Sequence, residues 1–228
     1  MNIYIINIRK RLDDILFTDL LKLIDVNYQQ KILRYRFWED RQRSLYGHLL
    51  SRYAIIKKWN LKNNEINIGQ NNYGKPYILN YENMHYNVSH SGEWVACVVN
   101  TSVVGIDLQE IQENKWNIAE HFFSQEENKY LCSLEQEQRL YAFYDIWSLK
   151  EAYIKAIGKG LYQSLDEFSI IKEDDRFWLY INGKKSENLY FKQYDIGEMY
   201  RFSVCSGENN FCDEIQELTL YKIMELVK

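Results

Sequence analysis

One acidic residue interrupts the apolar face of the longest predicted helix. The spacing of apolar residues predicts this helix over residues 135–157, with Gly158 as its C-terminal cap. At about 100° per residue, Glu151 falls in the middle of the apolar stripe, where a core residue is expected. The stripe consists of Leu140, Phe143, Tyr144, Trp147 and Ile154. Because burying an unpaired carboxylate costs several kcal/mol, Glu151 requires a cation, a metal ion or a proton.

Two lysines next to this stripe leave two interpretations of Glu151 open. Lys150 and Lys155 lie at opposite edges of the stripe. A surface pair between Glu151 and Lys155 would contribute only about 0.3 kcal/mol. A surface pair would not require Glu151 to lie at the centre of an apolar face. We therefore favour the interpretation of Glu151 as a functional carboxylate.

A second acidic residue, Asp107, interrupts a predicted buried strand over residues 103–108. Alternation along a strand places Asp107 and Gln109 on the same face, with Cα atoms about 7 Å apart. Together with Glu151, these side chains would form an oxygen-rich site of the kind that Mg²⁺ prefers. The alternative is that Asp107 only terminates the strand.

Basic residues are concentrated in the N-terminal part of a chain whose net charge is −4. Residues 31–58 contain eight basic and two acidic side chains. The basic residues are Lys31, Arg34, Arg36, Arg41, Arg43, Arg52, Lys57 and Lys58. They form either a solvated helical face or a binding site for several phosphates.

Ser89 and His90 do not form a nucleophile–base pair, because neighbours on a strand point to opposite faces. Asn87 also stands where a G-x-S-x-G nucleophile motif requires glycine. A polar strand end that offers a hydroxyl, an imidazole and backbone N–H groups to a phosphate fits better. A purely structural His90 is the alternative.

Composition narrows the class of protein. The 228 residues allow one large domain or two small ones. The net charge of −4 argues against a protein that coats nucleic acid or a membrane surface. The four cysteines are scattered without metal-site spacing, and no signal-peptide pattern precedes the first predicted strand. We therefore expect a cytoplasmic protein that binds neither nucleic acid nor membrane.

Predicted elements repeat in a similar order along the chain. A strand over residues 3–8 is followed by helices over 12–26, 27–37 and 39–59, and then by short strands. After residue 105 come a capping box at 124–127, the long helix and strands near 168–181, 188–194 and 199–206. This order predicts an α+β protein with two similar halves, residues 1–104 and 105–228.

Five motifs together resemble the Sfp-type 4′-phosphopantetheinyl transferase family in order and spacing. They are YGKP (73–76), NVSHSG (87–92), GID (105–107), FFSxxE (122–127) and WSLKEAxxK (147–155). The resemblance implies the fold of that family, an α+β (α/β) arrangement of two similar subdomains with pseudo-twofold symmetry, usually as a monomer. It also implies coenzyme A bound in the cleft between the halves. The 4′-phosphopantetheine arm would pass to a serine of an apo acyl or peptidyl carrier protein, releasing 3′,5′-ADP.

The resemblance also assigns roles to residues at matching positions. Asp107 and Glu151 match metal-binding carboxylates, with Gln109 where the family usually has a glutamate. Lys155 matches a pyrophosphate contact, and Lys150 is a second candidate for stabilising that charge. Candidate contacts to the rest of coenzyme A are Lys31, Arg43 and His90 near the 3′-phosphate, Ser89 at a phosphate, and Gly74, Lys75 and Pro76 along the adenine.

Several points stay open at this stage. Either Glu151 or a metal-bound water takes the serine proton, and Glu127 is either a metal ligand or a plain capping-box residue. Residues 110–122, with Ile111, Trp116 and Phe122, are a candidate carrier surface. The competing functions are a non-catalytic binder of coenzyme A or nucleic acid, and a Mg²⁺-dependent phosphohydrolase that uses water.

Overall fold

Two helices of 22 residues dominate the computed structural model, which describes residues 1–113 and 119–228. In chain order the elements are β1 (Asn2–Asn7), α1 (Asp14–Leu21), α2 (Val26–Leu33), α3 (Trp38–Trp59), β2 (Ile68–Gln70), β3 (Pro76–Ile78), β4 (His85–Ser91), β5 (Trp94–Asn100), β6 (Val104–Glu110), α4 (Ala119–Phe122), α5 (Gln125–Ser133), α6 (Gln136–Ile157), β7 (Phe168–Glu173), β8 (Arg176–Ile181), β9 (Lys184–Ser186), β10 (Tyr190–Tyr194), β11 (Tyr200–Ser206), β12 (Gln216–Glu217) and α7 (Leu220–Val227).

The chain divides into two units. The first contains Met1–Gly69, Pro76–Thr101 and Cys212–Lys228, and the second contains Gln70–Lys75 and Ser102–Phe211. The units follow the predicted halves, residues 1–104 and 105–228, except that each includes one segment from the other half. Those halves stay predictions as domains.

The first unit is built on α3 and a sheet of order β12-β1-β5-β4. Strand β5 pairs antiparallel with both neighbours, with Tyr4 opposite Cys97 and Ser89 opposite Ala96. The sequence predicts an apolar stripe along α3 that includes Leu45 and Leu49, and both residues are fully buried in the core of this unit. They belong to the same apolar core as the inner side chains of the sheet, so α3 covers one face of the sheet.

The second unit repeats this plan with α6 on a sheet of order β10-β11-β6. All pairings are antiparallel, and Asp107 lies opposite Ser203. In both units the first strand pairs with the last strand of a hairpin, giving the orders β1-β5-β4 and β6-β11-β10. A separate meander, β7-β8-β9, follows α6. The prediction of mixed α+β architecture with two similar halves is therefore confirmed.

A glycine determines how closely α6 approaches β6. A Cβ atom at Gly105 would lie 2.1 Å from the Ala152 carbonyl oxygen and 2.3 Å from the Ala156 nitrogen. The helix backbone therefore rests directly on the strand, a contact that only glycine permits. At its C-terminus, α6 ends as predicted at Gly158, whose φ of 69° is the left-handed conformation of a helix cap.

Some sequence predictions differ from the observed elements. The strand predicted over 168–181 is the hairpin β7–β8, with Asp174 at φ 52° in its turn. The sequence predicts no particular element over residues 213–226, which form β12 and α7 in the first unit. It also predicts that helical structure begins over residues 117–123, but Asn117 and Ile118 lie outside the described residues, as does Trp116 of the candidate carrier surface. Within the described ranges, no helix is both long and apolar enough to cross a membrane.

Candidate active site

The site in the second unit is centred on a buried aspartate. Asp107 on β6 is 1% exposed. Its Oδ1 atom accepts a hydrogen bond from Lys155 Nζ at 2.6 Å, and its Oδ2 atom accepts one from Gln109 Nε2 at 2.8 Å. The alternative that Asp107 only terminates the strand is wrong, because β6 continues to Glu110 and Asp107 holds an ammonium group from α6 and an amide from its own face of β6.

Glu151 supplies a second carboxylate to the same place. Partial burial raises the pKa of Glu151, the neighbouring Asp107 carboxylate raises it further, and the Lys155 ammonium opposes the shift. The interpretation of Glu151 as half of a surface pair with Lys155 is wrong, because Lys155 is bound to Asp107. In the part of the chain that the structure describes, the Glu151 carboxylate has no hydrogen bond or ion pair.

The contact at Gly105 explains why these side chains meet. Gly105 and Asp107 share one face of β6, because they are two residues apart. Glu151 and Lys155 lie one turn apart on α6, each beside one of the two alanines that rest on Gly105. The helix therefore presents both side chains to the strand position that carries Asp107.

The donors fit a divalent metal ion in chemistry. The Asp107 carboxylate raises the pKa of Glu151, and a cation bound to both side chains would neutralise this unfavourable pairing of charges. Gln109 points its Nε2 atom at Asp107, and turning its amide over would present the oxygen instead. Among the described residues, no group of three or more His, Cys, Asp or Glu side chains has metal-site geometry, so this site relies on two carboxylates and an amide.

A loop of the second unit anchors the C-terminal end of α6. Lys75 Nζ donates to the carbonyl oxygens of Ala156 at 2.7 Å and Val104 at 3.1 Å. Asn71 Nδ2 donates to the Gly158 carbonyl at 2.9 Å. Burial lowers the pKa of Lys75 to about 8. The lysine therefore binds the negative end of the helix dipole and ties α6 to β6.

Family models match both parts of the chain. The 4′-phosphopantetheinyl transferase superfamily model matches residues 103–205, and a model described as 4′-phosphopantetheinyl transferase, N-terminal, matches residues 14–102. A 4′-phosphopantetheinyl transferase from Bacillus subtilis is 35% identical over 205 residues, which is 90% of this chain and 92% of that protein. The chain belongs to the 4′-phosphopantetheinyl transferase family.

Two further relatives agree with this membership. The 4′-phosphopantetheinyl transferase gsp of Aneurinibacillus migulanus is 36% identical over 201 residues, covering 88% of this chain and 84% of that protein. The 4′-phosphopantetheinyl transferase Sfp of Bacillus subtilis (strain 168) is 31% identical over 205 residues, covering 90% of this chain and 91% of that protein. The resemblance stated from the motifs is confirmed, and the protein is a transferase.

Lys150 of this transferase, which the spacing places at one edge of the apolar stripe, is buried. It is 1% exposed, and its Nζ atom donates to Glu127 Oε2 at 2.6 Å and to the Phe168 carbonyl. Glu127 also closes the predicted capping box with Ser124, which is confirmed at the start of α5. A direct contact between Lys150 and the cofactor stays a prediction, as does a metal role for Glu127.

Predicted phosphate ligands of the transferase occupy the first unit. Ser89 is buried and His90 is exposed at adjacent positions of β4, as the alternation predicts. Arg43 on α3 donates to the Gly92 carbonyl at 3.4 Å, which brings its guanidinium to the turn that follows His90. Lys31 is exposed in the last turn of α2.

The predicted basic segment includes one residue with a different function. Arg52 is 3% exposed and pairs with Asp25 at 2.6 Å, and it also donates to both the carbonyl and the side-chain oxygen of Asn63. It is therefore an internal brace of the first unit, and neither the solvated-face nor the phosphate-site interpretation applies to it. In the stretch predicted to line the adenine, Gly74 lies in a tight turn at φ 86° and Pro76 begins β3.

Sequence reasoning missed the pairing of Glu127 with Lys150 and the anchoring role of Lys75. A signal for the first was present, because Phe143, Ile146 and Ile154 lie four or seven residues from Lys150 on α6. A lysine among such neighbours is expected to be buried and paired. The role of Lys75 depends on contacts between distant segments and has no local signal.

Proposed function

We propose that this transferase moves the 4′-phosphopantetheine arm of coenzyme A to a serine hydroxyl of an apo acyl or peptidyl carrier protein. The observation that supports the proposal most strongly is the meeting of Asp107, Glu151 and Lys155 in one site of the second unit. Two carboxylates and an ammonium group suit the transfer of a pyrophosphate-linked group, which depends on positioning and charge neutralisation.

Asp107 and Glu151, with the Gln109 oxygen, would hold Mg²⁺ in this reaction. When bound, the ion neutralises charge on the pyrophosphate of coenzyme A. Lys155 stabilises charge on the phosphate under attack and on the departing 3′,5′-ADP. Its contact with Asp107 at 2.6 Å holds the ammonium beside the proposed metal ligands, where that charge develops.

Glu151 is the proposed proton acceptor. The serine oxygen forms a bond to the phosphorus that carries pantetheine, the bond from that phosphorus to the bridging oxygen breaks, and 3′,5′-ADP leaves. The serine proton passes to the Glu151 carboxylate.

The remaining contacts to coenzyme A are proposed from the motif positions. Lys31, Arg43 and His90 bind the 3′-phosphate, and the Ser89 hydroxyl and neighbouring backbone N–H groups bind a phosphate oxygen. Gly74, Lys75 and Pro76 line the adenine. Since the Lys75 amine already donates to two carbonyls, its contribution there comes from its aliphatic stem and backbone.

The test is incubation of the transferase with coenzyme A, Mg²⁺ and a panel of apo carrier proteins from peptide, polyketide and fatty-acid synthesis, scored by mass gain. We expect a gain of one phosphopantetheine group for at least one carrier. Glu151→Gln should abolish the gain, whereas Glu137→Gln, an exposed glutamate of the same helix, should leave it unchanged.

Other outcomes identify the competing functions. Release of phosphopantetheine without any carrier would establish the phosphohydrolase. Binding of coenzyme A that survives Asp107→Ala, with no product on any carrier, would establish the non-catalytic binder. The carrier that reacts fastest would also decide between peptide, polyketide and fatty-acid synthesis, and cell fractionation would test the proposed cytoplasmic location.

A further inference from the structure

A buried ion pair lies in the second unit outside the proposed catalytic residues. The Lys150 ammonium and the Glu127 carboxylate are 2.6 Å apart, with side chains 1% and 2% exposed. The ammonium also lies 4.2 Å from the centre of the Phe168 ring. Burial lowers the pKa of Lys150, and the Glu127 carboxylate opposes that shift. Neither group is open to a ligand in this arrangement.

This pair ties three elements together through backbone atoms. Glu127 Oε1 accepts from the Ile170 nitrogen at 2.8 Å, and Glu127 Oε2 accepts from the Ser124 nitrogen at 3.0 Å. Lys150 donates to the Phe168 carbonyl. Strand β7 has β8 as its only sheet neighbour in the described residues, so the pair satisfies backbone groups on the other edge of β7. It thereby fixes α6 against α5 and β7.

The anchored lysine directly precedes Glu151 in α6. A side chain fixed at position 150 fixes the rotation of the helix, because successive residues differ by about 100° around its axis. On another side of α6, the contact with Gly105 fixes the distance between the helix and β6. This contact restricts rotation of the helix about its axis less strictly than a directed hydrogen bond does. The direction in which Glu151 and Lys155 point therefore depends on the pair.

We propose that the Glu127–Lys150 ion pair positions α6 so that Glu151 and Lys155 face Asp107, and that neither member touches the substrate or the metal ion. This inference rests on the proposed function of the Asp107 site. It assigns Glu127 and Lys150 as positioning residues. The competing assignment makes Glu127 a metal ligand and Lys150 a phosphate contact.

Three variants separate these assignments. Lys150→Met removes one partner and leaves the buried Glu127 charge uncompensated, which strongly favours rearrangement. Glu127→Gln keeps the shape of the side chain and one acceptor oxygen. It provides the test if the Lys150→Met variant does not fold. The double variant, Glu127→Gln with Lys150→Met, removes both charges, and such apolar replacement of a buried pair is often tolerated.

The measurement is kcat for transfer to a carrier at a temperature where circular dichroism shows each variant to be folded. We expect a loss of about 100-fold for Lys150→Met, the effect of a misplacement of about 1 Å, and a smaller loss for Glu127→Gln. We expect the double variant to recover to within about tenfold of the unmodified enzyme, because the uncompensated charge is gone.

Two results would overturn the proposal. Folded single variants with the kcat of the unmodified enzyme would show that the pair only adds stability. A double variant no more active than the weaker single variant would show that the charged groups themselves are needed in the reaction. An unmodified enzyme that transfers nothing to any carrier would instead refute the proposed function, so the two failures are distinguishable.

Discussion

Replacing Gly105 by alanine tests whether close packing of α6 on β6 creates the site. The new Cβ atom would lie 2.1 Å from the Ala152 carbonyl oxygen, whereas ordinary contact begins at 3.4 Å. Both atoms that the new methyl meets most closely belong to the helix backbone, so no side chain can turn away to make room. The helix must therefore shift from the strand by about 1.3 Å, the difference between those two distances.

The size of the effect follows from that shift. Overpacking of this kind costs about 1–3 kcal/mol, and a backbone clash belongs at the upper end of that range. For a chain of this length, 3 kcal/mol lowers the melting temperature by about 6–12 °C. A displacement of about 1 Å between Glu151 and Asp107 should also lower kcat by about 100-fold in the folded variant.

The assays are thermal unfolding and carrier modification at a temperature where the variant is folded. Gly47→Ala on α3 is the matched control, since its Cβ meets only Val88 Cγ1 at 3.3 Å and alanine favours a helix by about 1 kcal/mol. The control should keep its activity and should show no loss of melting temperature. A Gly105→Ala variant with normal kcat would refute the idea that this contact positions Glu151.

Three further predictions concern charge in the second unit. Gln109→Glu adds a third carboxylate and should lower the Mg²⁺ concentration for half-maximal rate, and an unchanged Mg²⁺ dependence would remove Gln109 from the site. Glu151→Gln should raise the melting temperature of the metal-free protein at pH 7.5. The pKa of Glu151 is raised in the folded state, so the native protein loses stability when this carboxyl ionises, and glutamine removes that loss. The gain should disappear below pH 4.5, the ordinary pKa of a glutamate. The pKa of Lys75 is lowered from 10.5 to about 8, so the unfolded chain binds more protons between those values. Denaturant titrations should therefore show the free energy of unfolding rising with pH in that interval, and Lys75→Met should remove this part of the slope.

Local periodicity was sufficient to predict the carboxylates of the site. Alternation along one strand and the 100° step of one helix each placed a charged residue where an apolar one belongs, at Asp107 and Glu151. The structure brings the two within electrostatic range. The boundaries of α6 were also predictable, because apolar residues recur at helical spacing along it and Gly158 caps its end.

Long-range pairing was not predictable in the same way. The local sequence places Lys150 and Lys155 equally well beside the site. Only the structure shows that Lys150 pairs with Glu127 and that Lys155 pairs with Asp107. Similarly, β12 is a pair of residues beside β1, too short to carry a strand pattern. The contacts of Lys31, Arg43 and His90 with a phosphate stay predictions, since they come from motif positions alone.

The central claim is that Asp107 and Glu151 hold one divalent ion together. Its most direct test is a titration of Mn²⁺, as a paramagnetic substitute for Mg²⁺, monitored by electron paramagnetic resonance in the presence of coenzyme A. We predict one bound ion per chain. Binding should be lost in both Asp107→Asn and Glu151→Gln and retained in Glu137→Gln. Undiminished Mn²⁺ binding in either of the first two variants would contradict it.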